Sequence, residues 1–103
     1  MDADFIRKRL TQLRMQKGVS EYQMSLDMGH SRSYIQSIVS GKSLPSMAEF
    51  LYMCEYLGVS PSAFFDEQTE NPALLQKAIE EMRSLSDRDI LTLLGLIERF
   101  KEK

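Results

Sequence analysis

At 103 residues and 43% hydrophobic content, the chain has material for one modest core with an appendage and excludes larger architectures. The formal net charge of −2 is unevenly spread, with seven Lys or Arg against four Asp or Glu in residues 1–47 and six against eleven beyond, which fits a nucleic-acid-facing half and an acidic half turned away. No apolar run approaches a membrane span, the N-terminus lacks a signal-peptide core, and the single cysteine excludes an intrachain disulfide or a cysteine-built zinc site, so cytoplasm is the expected compartment.

The first predicted element is an amphipathic helix from about Asp4 to Lys17, with Ile6, Leu10 and Leu13 on one face and Gly18 to stop it. Arg7, Lys8 and Arg9 read as its solvated side, with a phosphate patch as the alternative. Ser20 and Gln23 form a capping box that starts a second helix at Glu21. It is short, because Gly29 suits a left-handed turn residue and Ser31 is a fresh cap for a third helix over about 31–39. Met24, Met28, Ile35 and Ile38 supply the apolar contacts of this pair, and Ser25 is small enough to let the helices approach. Arg32, Ser33, Gln36 and Ser37 fall on the outer side. Two short helices joined this way have the geometry that puts one helix into a DNA groove.

Ser46 and Glu49 form another capping box after Pro45, opening a helix whose Phe50, Met53, Cys54 and Leu57 share a face and which ends at Gly58. Ser60 caps a short helix with Pro61 in its first position and Phe64 and Phe65 turned to the core, so five helices close one domain over residues 1–65. Asp66 to Glu70 is an acidic, polar linker. The remainder, 71–103, reads as a helical hairpin. Asn71 caps a helix carrying Leu74, Leu75, Ala78, Ile79 and Met82, and Ser86 opens the last one. There Ile90, Leu91, Leu93, Leu94, Leu96, Ile97 and Phe100 cover more than one face, which demands partners on more than one side. The preceding helix is one; the first domain or a second chain is the other, and the second chain is favoured.

Taken in register, these residues resemble the Cro/phage-repressor, or XRE, family of helix-turn-helix transcriptional regulators, without gaps across about the first 65 residues. The resemblance rests on Leu10, Leu13 and Arg14 in the first helix, then Gly18, Val19 and Ser20, the buried Met24, the small Ser25, the turn Gly29, Ile35 and Ile38, Gly41, and the ending Leu57 to Ser60. It implies a five-helix lambda-repressor-like DNA-binding domain, which with the C-terminal helical hairpin read from residues 71–103 makes an all-α fold. The implied function is a sequence-specific regulator, a repressor by expectation, that binds double-stranded DNA at a palindromic operator as a homodimer joined through its C-terminal helices. Base-reading positions of the family fall on Arg32, Ser33 and Ser37, with Gln36 adjacent, and Arg32 suits the O6/N7 pair of guanine. Phosphate-contacting positions fall on Arg14, Ser20, Tyr22, Ser40, Lys42 and Ser43, and Tyr34 near the recognition face is given the same role. Two positions depart from the pattern. Glu21 stands where many members have Gln, and either opposes a phosphate or pairs with Arg32. Val39 stands where a Glu commonly pairs with the first-helix Arg, leaving Arg14 free for phosphate or merely solvated.

The other conspicuous residues have plainer readings. Cys54 is an inert core thiol rather than a redox sensor, and His30 a partly buried turn residue, with a backbone or phosphate contact as the alternative. Met15, Met24, Met28, Met47, Met53 and Met82 fill the core, and Tyr52 and Tyr56 cover its edge. One histidine, one cysteine and no glycine-rich phosphate loop assemble no catalytic site, metal site or cofactor site. The expectation is a non-enzyme. The alternative to a DNA reader is a protein-interaction module of the same fold, antitoxin-like or an adaptor, with weak or no DNA binding.

Overall fold

Side-chain caps and left-handed glycines set the helix boundaries of the computed structural model, which describes residues 1–102; Lys103, the last residue of the expected hairpin, lies outside them. The described residues form seven helices and no strand: α1 Ala3–Lys17, α2 Glu21–Asp27, α3 Tyr34–Val39, α4 Met47–Leu57, α5 Pro61–Phe64, α6 Pro72–Met82 and α7 Asp87–Lys101. Ser20, Ser46, Ser60, Asn71 and Ser86 each accept a backbone N–H at the start of the following helix, as the sequence predicts, and Asp2 does the same for α1. Gly18 and Gly58 end α1 and α4 with φ of 79° and 74°.

Both capping boxes are only half formed. Ser20 and Ser46 take the N–H of Gln23 and Glu49, but the Gln23 amide turns forward to Asp27 (2.6 Å) and the Glu49 carboxylate leaves its own helix for His30 (2.8 Å). The larger correction concerns α3. It starts at Tyr34 rather than Ser31, which leaves Ser31, Arg32 and Ser33 in the connecting turn, and Ser33 at its N-cap makes no side-chain cap.

The core joins the first five helices through Leu10, Leu13, Met24, Met28, Ile35, Ile38, Phe50, Met53, Cys54, Leu57, Val59 and Phe64. Phe50 meets Phe64 edge-on, with ring centroids 5.0 Å apart, a favourable quadrupole arrangement. Met15 and Met47 do not fill this core. They are 66% and 73% exposed, since each lies on the outer side of its helix, and Tyr52 is likewise exposed.

Arg9 also departs from the solvated role. It is 5% exposed and spans from α1 to the 66–70 segment, donating to the carbonyls of Thr69 (2.7 Å) and Asp66 while its guanidinium sits 5.2 Å from the Phe5 ring centroid. Gln12 and Gln16 add hydrogen bonds to the Glu70 carbonyl, so this acidic segment is tied along α1. It delivers Pro72 fully buried and Ala73 against the core, and Ser60 Oγ bonds Gln76 Oε1 at 3.3 Å. Gln76 and Glu80 carry the contact of α6 further along, lining one groove with Glu55, Val59 and Ser60, whereas α7 contributes no buried residue at all.

Candidate nucleic-acid interface

Four side chains buried inside the α2–turn–α3 unit determine where its outer surface lies. Met24 and Ser25 are fully buried on α2, as are Ile35 and Ile38 on α3. Gly29 turns the chain with φ 77°, and the N–H of His30 closes back onto the Ser25 carbonyl at 3.0 Å. A six-residue helix cannot hold itself together in water. Its neighbours hold it at both ends. From α2, Ser25 Oγ accepts the N–H of Ile35 at 3.0 Å while donating to the Glu21 carbonyl at 2.7 Å. From α1, Arg7 Nε donates to the Ile38 carbonyl at 3.0 Å, placing a cation at the negative end of α3. Sequence reasoning gave Ser25 only a steric role and put Arg7 in solvent; neither pin leaves a periodic or motif signal.

The outer surface collects most of the predicted readers. Arg32 and Ser33 are exposed in the turn ahead of α3 and Gln36 is exposed on it, while Ser37 is half-buried. Ser37 has a second task, since its carbonyl accepts the N–H of Lys42 (3.0 Å) and of Ser43 (3.2 Å) and so folds the following loop back onto α3. Ser40, Lys42 and Ser43 are exposed there. Ser20 and Tyr22 are exposed at the start of α2, apart from this group in sequence and hydrogen bonding.

Three predicted placements change. Tyr34 does not present its hydroxyl for a phosphate, because that oxygen is buried without a hydrogen-bond partner and the ring stacks on His30 at 3.7 Å. Burial, and then the Glu49 carboxylate, raise the phenol's pKa. His30 is the half-buried turn residue expected, now with a definite partner in Glu49. Arg14 is neither free nor merely solvated; its Nη1 donates to the Val19 carbonyl at 2.7 Å and its Nε is buried without a partner. Glu21 and Arg32 form no ion pair among the described residues. Glu21 is half-buried and leaves Arg32 unopposed by a direct contact.

Behind the interface, α2 is braced on α4. Tyr56 donates to Asp27 at 2.7 Å and Lys17 lies over the Tyr56 ring at 4.9 Å. The hydrogen bonds from Tyr56 and Gln23 lower the Asp27 pKa, while burial and then Asp27 push Tyr56 up to about 12.

No described helix is long and apolar enough to cross a membrane, and no group of acidic, histidine or cysteine residues among the described ones is arranged to hold a metal. What the surface offers is a guanidinium, an ammonium, an amide and hydroxyls around a short braced helix, which is a hydrogen-bonding surface. A family model described as helix-turn-helix matches residues 10–64, which takes in α2, α3 and the whole of this surface. No curated protein and no solved structure matches the chain.

Proposed function

The chain belongs to the Cro/C1-type helix-turn-helix (XRE) family of DNA-binding regulators, and on that premise we propose that it is a sequence-specific transcriptional repressor reading the major groove of double-stranded DNA in the cytoplasm. The observation that carries this is the exposure of Arg32, Ser33 and Gln36 around the start of α3 while both ends of that helix are pinned by α1 and α2. Arg32 is the principal reader, its fork matched to guanine, and a good bidentate contact is worth about 1–3 kcal/mol of discrimination. Ser33, Gln36 and Ser37 are the supporting readers. Ser20, Tyr22, Ser40, Lys42 and Ser43 contact phosphates and set the register, and Arg14 acts on the start of α2 by fixing Val19. The active form is a homodimer on a palindromic operator, with half-sites about one helical turn apart.

A second reading, a protein-interaction module of the same fold, draws on the thin charge of the motif, whose exposed cations are Arg32 and Lys42 and whose α2 opens with the anion Glu21. Selection from a random duplex library near physiological salt, with Arg32→Ala alongside, separates the two. A palindrome enriched by the native chain, with preference lost at one base step in Arg32→Ala, supports the DNA reader. No enrichment by folded native protein moves the weight to the interaction module, and a preference unchanged in Arg32→Ala removes that residue from the reading set.

A further inference from the structure

Ser31, Arg32 and Ser33 are all exposed in the turn ahead of α3, and Ser33 gives that helix no side-chain cap. A loose turn would carry a reader poorly, because a side chain ordered only on contact loses part of its binding energy to the ordering. This turn is closed at both ends. His30 precedes it and Tyr34 follows it, and their rings stack with centroids 3.7 Å apart and planes within 7°. Along the backbone, the Tyr34 N–H donates to the Ser31 carbonyl at 3.1 Å, and the His30 N–H ties the other end to Ser25 of α2. The imidazole is held in turn from α4. Glu49 Oε2 lies 2.8 Å from His30 Nε2, and since a carboxylate only accepts, that nitrogen carries the proton. Glu49 has a local alternative, because as the third residue of α4 it is placed to close a capping box on Ser46. It forgoes that bond for a residue 19 positions back in the chain.

We propose that Glu49 and His30 are positioning residues for base recognition: the Glu49–His30–Tyr34 clamp sets where the turn presents Arg32, and so how strongly one base pair is preferred. The inference rests on the DNA-reader function proposed above and deepens it. Neither residue touches the duplex. Ser25 and Arg7 hold the two ends of α3 itself, whereas this clamp reaches the turn that precedes it and does so from a helix outside the motif. The phosphate-contacting residues Ser20, Tyr22, Ser40, Lys42 and Ser43 lie on either side of the clamped residues in sequence and make no side-chain bond to them among the described residues. Loss of the clamp therefore acts on discrimination between sequences and leaves the hold on duplexes at large. What the clamp needs from Glu49 is an acceptor for the Nε2 proton, not a charge.

The test is fluorescence anisotropy of the full chain on its selected duplex and on one changed at the base pair whose preference Arg32→Ala loses. The native chain is expected to discriminate about tenfold or more, the scale of a good bidentate contact. Glu49→Ala is expected to lose most of that ratio while its affinity for random duplex stays unchanged, and Glu49→Gln, whose amide oxygen accepts the same hydrogen bond, is expected to keep it. In an Arg32→Ala background Glu49→Ala is expected to cost nothing further at that base pair, a coupling that a general loosening of the fold does not produce. Circular dichroism checks folding, and if Glu49→Ala does not fold, His30→Ala removes the same bond from the turn's side and is read against the same outcomes. A folded Glu49→Ala chain with native discrimination, or one whose loss is the same with and without Arg32, overturns the inference and leaves the DNA reader standing. Loss in Glu49→Gln equal to that in Glu49→Ala makes charge the cause and overturns the clamp. A native chain that prefers no sequence, or an Arg32→Ala chain that keeps the native preference, overturns the reading the inference rests on and the inference with it.

Discussion

Ser25 is where the sequence says least about what matters most. Its spacing identifies a small residue between two helices, and a hydroxyl and a methyl are equal on that count. In the structure its oxygen is the acceptor that the first turn of α3 lacks, and it is fully buried. Ser25→Ala therefore leaves the Ile35 N–H buried and unsatisfied, and is expected to cost about 1–3 kcal/mol, read as a lower urea midpoint at unchanged slope. Cys54 shows the opposite case, a residue whose role was legible. Its place on the apolar stripe of α4 predicts a core thiol, and burial pushes its pKa up from 9.0 to about 11. The folded state thus holds that proton more tightly than the unfolded one. The thiol's contribution to stability is whole below about pH 9 and is lost as pH rises towards 11. Iodoacetamide at pH 8 is expected to leave Cys54 unmodified in the native protein and to label it fully in urea.

Among the elements, the ones whose limits were legible are those that end themselves. α4 to α7 begin at a Ser or Asn cap within three residues of the N–H it satisfies, and Gly58 takes the positive φ that stops α4. The start of α3 was not legible, because its cap comes from Ser25 on another helix, ten residues back, and Ser31 only resembles a local one. Distance in sequence also hid the 66–70 segment. Its composition reads as a linker, but Arg9 and two glutamines of α1, more than fifty residues away, hold its carbonyls. Arg9→Met keeps the apolar stem and removes the donors, leaving the Asp66 and Thr69 carbonyls to water. A loss of about 1.5–3 kcal/mol is expected from hydrogen bonds of a charged donor. The local sign is sharper than the global one. A Glu-specific protease is expected to cut at Glu67 and Glu70 in Arg9→Met much faster than in the native chain, while cleavage elsewhere is unchanged.

At the scale of the whole molecule, shape and charge bear on the same question of how so small a protein grips DNA. The chain measures 48 × 26 × 23 Å with a radius of gyration of 16.5 Å, where a compact domain of this length has about 13 Å. The excess fits a C-terminal hairpin whose last helix, α7, buries no residue against the five-helix core. The surplus of three cations in residues 1–47 suggested a modest electrostatic grip, and the structure reduces it further. Arg7, Arg9 and Arg14 are each committed to backbone carbonyls, of Ile38, of Asp66 and Thr69, and of Val19. A guanidinium so engaged positions helices and adds little to phosphate neutralisation. The exposed cations of the reading surface are then Arg32, which the proposed function spends on a base, and Lys42, which it gives to phosphate. One phosphate cation per chain is a weak hold, and this is the physical argument for the proposed binding as two copies. Salt dependence measures that count directly, because each neutralised phosphate releases condensed counterions. Lys42→Ala is expected to weaken binding to every duplex alike, and to reduce the slope of log affinity against log salt by about 1 per bound chain. Fluorescence anisotropy between about 50 and 200 mM salt reads it. An unchanged slope with unchanged affinity would mean that Lys42 touches no phosphate and would remove it from the contacting set.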